Sequence, residues 1–380
     1  MILKRKPNSS RIAVMVAFII NGALMATWVS RIPLIQSKFH LTEGSLGWLL
    51  FSSSLGFLLA LVLAGGLIAR FGSHRVIVFA ALAGSVMLPL IALAPQIPLL
   101  VICLVLFGMS ISLMDVAMNE QAVLVEREAG KPMMSSFHGG YSIGAACGAF
   151  IGAGMAALSG VTLFQHFLLI ACLASLVSLG ISRYLEKVEV DRSVKNKVFR
   201  LPERALWLLG SIAFITALGE GISSDWSGVY LKNVLGTDSS TAALGYAFFA
   251  ALMTLGRMMG DWLRKKFHQT VIVRAGGLTA AAGFLLTALA HMPWQAIMGL
   301  GLSGFGLANI IPLVYGAAGN SNHKEPGTAI AGVATIGYLG FLIGPPMVGA
   351  LADAFSLRVS YLVIAAFLAT IFYSGKKLPQ

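Results

Sequence analysis

Gly108, Ser112, Asp115 and Asn119 stand at i, i+4, i+7 and i+11, a spacing that puts all four on one face of a helix. They follow Leu99 to Met114, a stretch without a single charge. A carboxyl group in such a helix is costly if it faces lipid, by several kcal/mol at the bilayer centre. The face is therefore expected to look into protein or water. A carboxylic acid that is poorly solvated holds its proton to higher pH, so a group of this kind can load and release protons near neutrality.

Other residues fall at comparable depth. Counting about 1.5 Å per residue inward from Arg127 puts Asn119 roughly 12 Å deep and Asp115 roughly 18 Å deep. The next helix runs the other way, from Lys131, and puts His138 roughly 10 Å and Tyr141 roughly 15 Å deep. Glu220, in FITALGEGISSDW, lies roughly 24 Å from Arg204. Gly219 and Gly221 flank it, and each weakens a helix by about 1 kcal/mol, so a broken helix is expected there, with Asp225 at the outer surface. Asn21, Met25 and Trp28 share a face of the first helix. Asn309 precedes Pro312, an expected kink. Each amide or indole taken alone suits a satisfied structural role as well as a ligand contact. Together, amides and rings around an acid suit a small polar, hydroxyl-rich solute, because rings stack on apolar faces while amides and carboxylates bond to hydroxyls.

Other chemistries find no support. There is no GxxxxGK[ST] run for a nucleotide, no HExxH motif and no Ser/His/Asp set. Cys103, Cys147 and Cys172 lie in apolar runs without metal-type spacing and read as small packing residues. Neither catalysis, a cofactor nor a metal is expected.

The elements that must position these residues follow from composition. Hydrophobic residues make up 57% of the 380 positions and charged residues 11%, against about 25% charged in a soluble domain. Runs of about 20 apolar residues suffice to cross a bilayer. Twelve are readable, over 12–30, 44–69, 76–94, 99–122, 134–158, 163–182, 204–223, 240–262, 271–290, 295–318, 327–352 and 359–374. With both termini on the cytoplasmic side, inner segments hold 22 of the 27 Lys and Arg. That is the positive-inside pattern, and it accounts for the net charge of +12 without nucleic acid.

The richest inner loop, Arg183 to Arg204, carries seven basic and four acidic residues. It divides the chain into an N-terminal six-helix bundle (1–183), a cytoplasmic linker (184–203) and a C-terminal bundle (204–380). The halves repeat. At an offset of 198, Trp28 meets Trp226, and Leu46-Gly47-Trp48 meets Leu244-Gly245-Tyr246. At 195, Val76-Ile77-Val78 meets Val271-Ile272-Val273. At 192, Gly140, Gly148 and Gly152 meet Gly332, Gly340 and Gly344. Two parallel repeats of this kind enclose a mid-membrane cavity and alternate its access by rocking. Gly140, Gly144, Gly148 and Gly152, four apart, give one helix a bare stripe on which another backbone can pack.

The sequence Gly65-Gly-Leu-Ile-Ala-Arg70-Phe-Gly72 resembles the loop motif between the second and third spans of the major facilitator superfamily, with Ala69 in place of its usual acid. A second copy, Gly260-Asp261-Trp-Leu-Arg-Lys-Lys266, carries the acid. The resemblance covers nearly the whole chain, and more narrowly it is to the YbjJ type of the bacterial inner membrane. It implies an all-α membrane protein of twelve helices in two pseudo-symmetric bundles, acting as a transporter. Glu120 and Arg127, with six residues between them, resemble the acid-x6-arginine element of sugar-type facilitators. That likeness implies an inner-gate charge network with Arg70 and Arg75, and with Asp261 and Lys266 in the second half; a solvated helix end is the plainer alternative.

The expectation is a monomeric, proton-coupled secondary transporter of a small polar solute in the bacterial inner membrane, with the lipid bilayer, a small-molecule substrate and protons as its partners. An exporter of amphipathic or toxic compounds is the alternative. A sensor or scaffold that transports nothing is a third reading, of another class.

Overall fold

The computed structural model describes residues 7–130, 133–187, 206–320 and 326–375. Among these residues the chain is helical throughout, without strands. The first helices are α1 (Pro7–Val29), α2 (Ile32–Lys38), α3 (Glu43–Phe71), α4 (Ser73–Leu93), α5 (Ile97–Ala129), α6 (Met134–Ala157) and α7 (Leu163–Ser182). They are followed by α8 (Trp207–Leu235), α9 (Ser239–Met258), α10 (Gly260–Lys266), α11 (Gln269–Leu289) and α12 (Pro293–Leu307). The last three are α13 (Ile310–Gly319), α14 (Pro326–Ala354) and α15 (Leu357–Ser374).

Twelve stretches among the described residues are long and apolar enough to cross a membrane, and they fall where the hydropathy runs place them. Most of the expected linker, residues 188–203, lies outside the described residues, as does Lys131.

The chain forms two compact units. One contains Met1–Arg31 and Ser52–Asn196; the other contains Ile32–Phe51 and Lys197–Gln380. In sequence, the boundary near the N-terminus thus falls inside α3. In the first unit α6 packs along α1, and α4 packs on α5 and α7. In the second, α14 packs along α8, α11 lies on α12 and α15, and α12 also meets α9.

Glycine makes the two long pairings possible. A Cβ at Gly144 would strike the Ile19 carbonyl oxygen of α1, and one at Gly148 would lie 2.7 Å from the Ala23 carbonyl oxygen. From the other side, Gly22 of α1 meets the backbone of Tyr141. The second unit repeats the device, with Gly340 of α14 against the Phe214 carbonyl of α8. Between helices in lipid there is little hydrophobic driving force, so this close van der Waals contact is what holds them.

Local signals explain the helix ends. Gly130 (φ 64°) closes α5 and Gly236 (φ 66°) closes α8, both left-handed, a conformation glycine adopts without penalty. Glu126, near the end of α5, accepts from the Met134 amide at 2.6 Å and also from Met133, so it caps the start of α6 across the turn. Asp238 caps α9 by accepting from the Ser240 and Thr241 amides at 2.7 and 2.9 Å. The Thr241 amide leads in holding its carboxyl below the ordinary carboxylate range. Its share of stability is complete above the ordinary carboxylate pKa and fades as pH falls through the lowered one.

Two expectations need correction. The helix around Gly219 and Gly221 is not broken: α8 runs unbroken through both. A Cβ at Gly219 would meet Leu307 and Leu368, and one at Gly221 would meet Phe341, so these glycines make room for neighbours. Asp225, expected at the outer surface, lies within α8, which continues ten residues beyond it to Leu235, and its carboxyl is half-buried beside Ser224. The tenth span does break, at Ala308–Asn309. The Pro312 ring crowds the carbonyl four residues back, that of Ala308, and removes a donor.

Gly144→Ala is expected to lower the melting temperature of the purified protein, in line with about 1–3 kcal/mol of overpacking. Gly139→Ala, where an added Cβ meets nothing within 4 Å, should leave stability unchanged or raise it by up to about 1 kcal/mol. Equal effects at both positions would contradict the packing account.

Candidate functional site

In the first unit α5 carries the acid. Gly108 seats α5 against the Ser53 carbonyl of α3, and Ser112 is fully buried. One turn further, Asp115 and Asn119 are half-buried. The Asn119 amide donates to the Asp115 backbone carbonyl at 2.9 Å and to its carboxylate at 3.3 Å. Among the described residues no cation pairs with Asp115; its partner is a neutral amide on its own helix.

Helix α1 touches both neighbours of this site. Asn21, wholly buried, donates to the Ile111 carbonyl of α5 at 3.0 Å. Phe18 meets His138 of α6 edge-on, with centroids 5.2 Å apart. His138 is exposed and Tyr141 half-buried. Trp28 and Trp226, its counterpart in the repeat, are each packed inside their own unit, and among the described residues neither indole N–H has a hydrogen-bond partner.

In the second unit α8 carries Glu220, whose carboxylate lies 3.8 Å from the Arg257 guanidinium of α9. The separation is that of an ion pair without a direct hydrogen bond. The two side chains are 18% and 24% exposed, so the pair sits inside the unit but within reach of a small solute or water. Tyr315 of α13 lies within electrostatic range of Glu220, and its hydroxyl approaches Gly337 of α14. Asn309, at the break between α12 and α13, donates to the Gly256 carbonyl at 2.8 Å, and its side-chain oxygen abuts Gly260. It pins the α12–α13 break to the α9–α10 junction.

Of the expected gate residues, Arg70, Arg75, Arg127, Asp261 and Lys266 are exposed. Glu120 is half-buried, with the Ser73 hydroxyl near its carboxyl. Among the described residues it makes no ion pair with Arg70, Arg75 or Arg127. Ser73 also accepts from Gln121 at 3.0 Å, and Gln121 exchanges two hydrogen bonds with the Glu186 backbone, both 2.8 Å. Ser10 completes the chain by donating to the Glu186 carboxylate. Hydrogen bonds, the last of them to a carboxylate, thus tie α1, α4, α5 and the segment after α7.

Several polar residues were not anticipated. Near the C-terminus of α8, Lys232 donates to Ser37 at 2.8 Å, and Asn233 donates to Gln36 and Glu43, each at 3.0 Å. At the end of α14, Asp353 accepts from the Gly44 amide at 3.0 Å and Thr42 at 3.2 Å. These bonds form one latch within the second unit. In the first unit Arg31 is buried and donates to His166 at 3.0 Å. Its sequence signal was only that of a loop charge. Arg257 did leave a readable signal, as the lone basic residue inside an apolar run. Among the described residues no three His, Cys, Asp or Glu side chains gather as a metal site.

A sequence model described as Major Facilitator Superfamily matches residues 12–321 and 209–375. An uncharacterized transporter of Sinorhizobium fredii is 37% identical over 365 residues, 96% of each chain. An uncharacterized MFS-type transporter of Yersinia pestis is 34% identical over 373 residues, 98% of this chain and 96% of the relative. Among solved structures, a mutant form of the nucleoside transporter NupG matches with a TM-score of 0.79 at 10% identity, over 98% of this chain and 100% of that one. At that identity the likeness speaks for the fold alone.

Removing one partner of the Glu220–Arg257 pair leaves an uncompensated charge, which costs about 3–5 kcal/mol when burial is complete and less at this exposure. Arg257→Met is expected to lower the melting temperature clearly, and adding Glu220→Gln should recover part of the loss. Strictly additive effects of the two changes would show that the charges do not interact.

Proposed function

As the chain belongs to the major facilitator superfamily and is a multi-pass membrane transporter of that type, we propose that it moves a small polar solute by alternating access, coupled to protons. The observation that carries this reading is a pair of acids inside membrane-length helices with unlike partners: Asp115 beside a neutral amide, Glu220 beside an arginine. A carboxylate in such surroundings is neutralised by a proton or by a cation. Asp115, without a cation beside it, is the acid assigned to load and release the proton. Glu220 alternates between Arg257 and the solute or a second proton.

The remaining polar residues suit a neutral, hydroxyl-bearing solute. Asn119, His138 and Tyr141 supply donors and acceptors with aromatic faces among them. Asn21, Trp28 and Asn309 support the helices that carry these residues, each within its own unit: Asn21 and Asn309 through the Ile111 and Gly256 carbonyls, and Trp28 by packing. The latch of Lys232, Asn233 and Asp353 is assigned to bracing the second unit where α8 and α14 end. Glu120, Arg70, Arg75, Arg127, Asp261 and Lys266 are assigned to the end that carries the basic loops, which the charge bias places in the bacterial cytoplasm with both termini.

The test is flux in reconstituted vesicles containing a trapped pH dye, challenged with a panel of neutral sugars, polyols and nucleosides. A solute on the panel is expected to move protons with it. Asp115→Asn should reduce gradient-driven accumulation by at least about tenfold, the loss expected for a proton carrier, and spare solute exchange. Coupled flux unchanged in both Asp115→Asn and Glu220→Gln would remove the acids from the mechanism. Proton movement driven only by amphipathic cations such as ethidium would favour the exporter reading instead.

A further inference from the structure

The second unit also holds a groove of about 300 Å³ lined mainly by apolar residues. Its walls include Leu263 and Phe267 at the end of α10, Val271 and Ala275 on α11, and Phe305 and Asn309 around the α12–α13 break. It exists because side chains are missing: a Cβ on Gly276 would lie 2.5 Å from the Gly306 carbonyl oxygen, so two bare backbones close its floor. Val271 and Ala275 are one turn apart on the same face of α11. Phe267 is 42% exposed and Val271 48%. On a helix of membrane length, exposed apolar surface of this kind faces acyl chains.

The end of the groove is charged. Arg264, Lys265 and Lys266 form the last turn of α10, all exposed. The Lys266 ammonium lies 5.7 Å from the ring centre of groove-lining Phe267 and 5.2 Å from that of Trp262. Trp262 is itself exposed, and exposed tryptophan beside basic residues marks the headgroup level of a bilayer. Among the described residues none of the three cations is in an ion pair, and the acid on α10 is Asp261, in its first turn. Basic residues in a last turn also suit the helix dipole, and they serve as a topology signal; neither role calls for an apolar groove ending beneath an ammonium.

We propose that this groove is a binding site for an anionic phospholipid, with an acyl chain between α11 and α12 and the phosphodiester at Arg264, Lys265 and Lys266. A chain alone would be held no better than any other lipid. A basic surface alone would attract anionic lipid without retaining it. The combination selects a headgroup with net negative charge and fixes it in one place. The site borders the transport residues, sharing Asn309 and Lys266 with them, but it is read by lipid binding and stands whether or not proton coupling does.

The test uses the full-length protein in phosphatidylcholine vesicles that contain either brominated phosphatidylglycerol or brominated phosphatidylcholine. Quenching at Trp262 is obtained by difference from Trp262→Phe. Three basic residues at about fivefold each set an upper bound, and a preference of roughly tenfold for phosphatidylglycerol is expected. Arg264→Gln with Lys265→Gln and Lys266→Gln should bring it near unity. Ala275→Phe, which fills the groove and keeps the charges, should also reduce it severalfold. Any one of three results would overturn the proposal: no preference in the native chain, a preference that survives Ala275→Phe, or displacement by millimolar inorganic phosphate, which would make the site a headgroup pocket without a chain.

Discussion

A hydrocarbon layer offers no hydrogen bonds, and the rest of this structure follows from that. Backbone groups must be satisfied within each helix, so the described chain contains helices and no strand. Side-chain polarity is then allowed only where protein or water replaces lipid. Several buried hydroxyls obey by bonding backward along their own helices, as Thr216 does to Ile212 and Thr254 to Ala250. Asp115 and Glu220 cannot be satisfied this way. A carboxylate needs a proton, a cation or water, and each of these can come and go.

The same constraint explains the packing. With little hydrophobic force between helices, contact depends on how closely backbones approach, and glycine sets that distance. The α1–α6 and α8–α14 pairs use the same device in the two units. Polar groups then serve as fasteners at the ends, where Gln121 ties the segment after α7 and Asp353 caps the start of α3. Exchanging such bonds for water is nearly balanced where both groups are neutral, as for Gln121, and less so where one is charged, as for Asp353.

Much of the fold was legible because its signals are local. A span announces itself over about 20 residues, and the four-residue glycine spacing of α6 already implied a close partner. Pro312 announced the break at Ala308. The site was legible only in part. Asp115 and Asn119 are four residues apart on one helix, so their contact is written in the spacing. The approach of Glu220 to Arg257 joins two helices, and no local pattern encodes it; the single hint was a lone arginine in an apolar run. The reading of Gly219 and Gly221 as a break failed because propensity is a weak force beside tertiary packing. Leu307, Leu368 and Phe341 fill the space those glycines leave, which keeps α8 whole.

The central claim is that water reaches the two acids along a path that lipid does not. Thiol labelling tests it most directly. In a chain with Cys103, Cys147 and Cys172 replaced by Ala, single Asp115→Cys and Glu220→Cys variants are compared with Leu106→Cys and Leu285→Cys, at exposed apolar positions. The account predicts that a membrane-impermeant, water-borne thiol reagent modifies positions 115 and 220 in vesicles and leaves 106 and 285 unmodified. Labelling at 115 and 220 no faster than at the two leucine positions would contradict it.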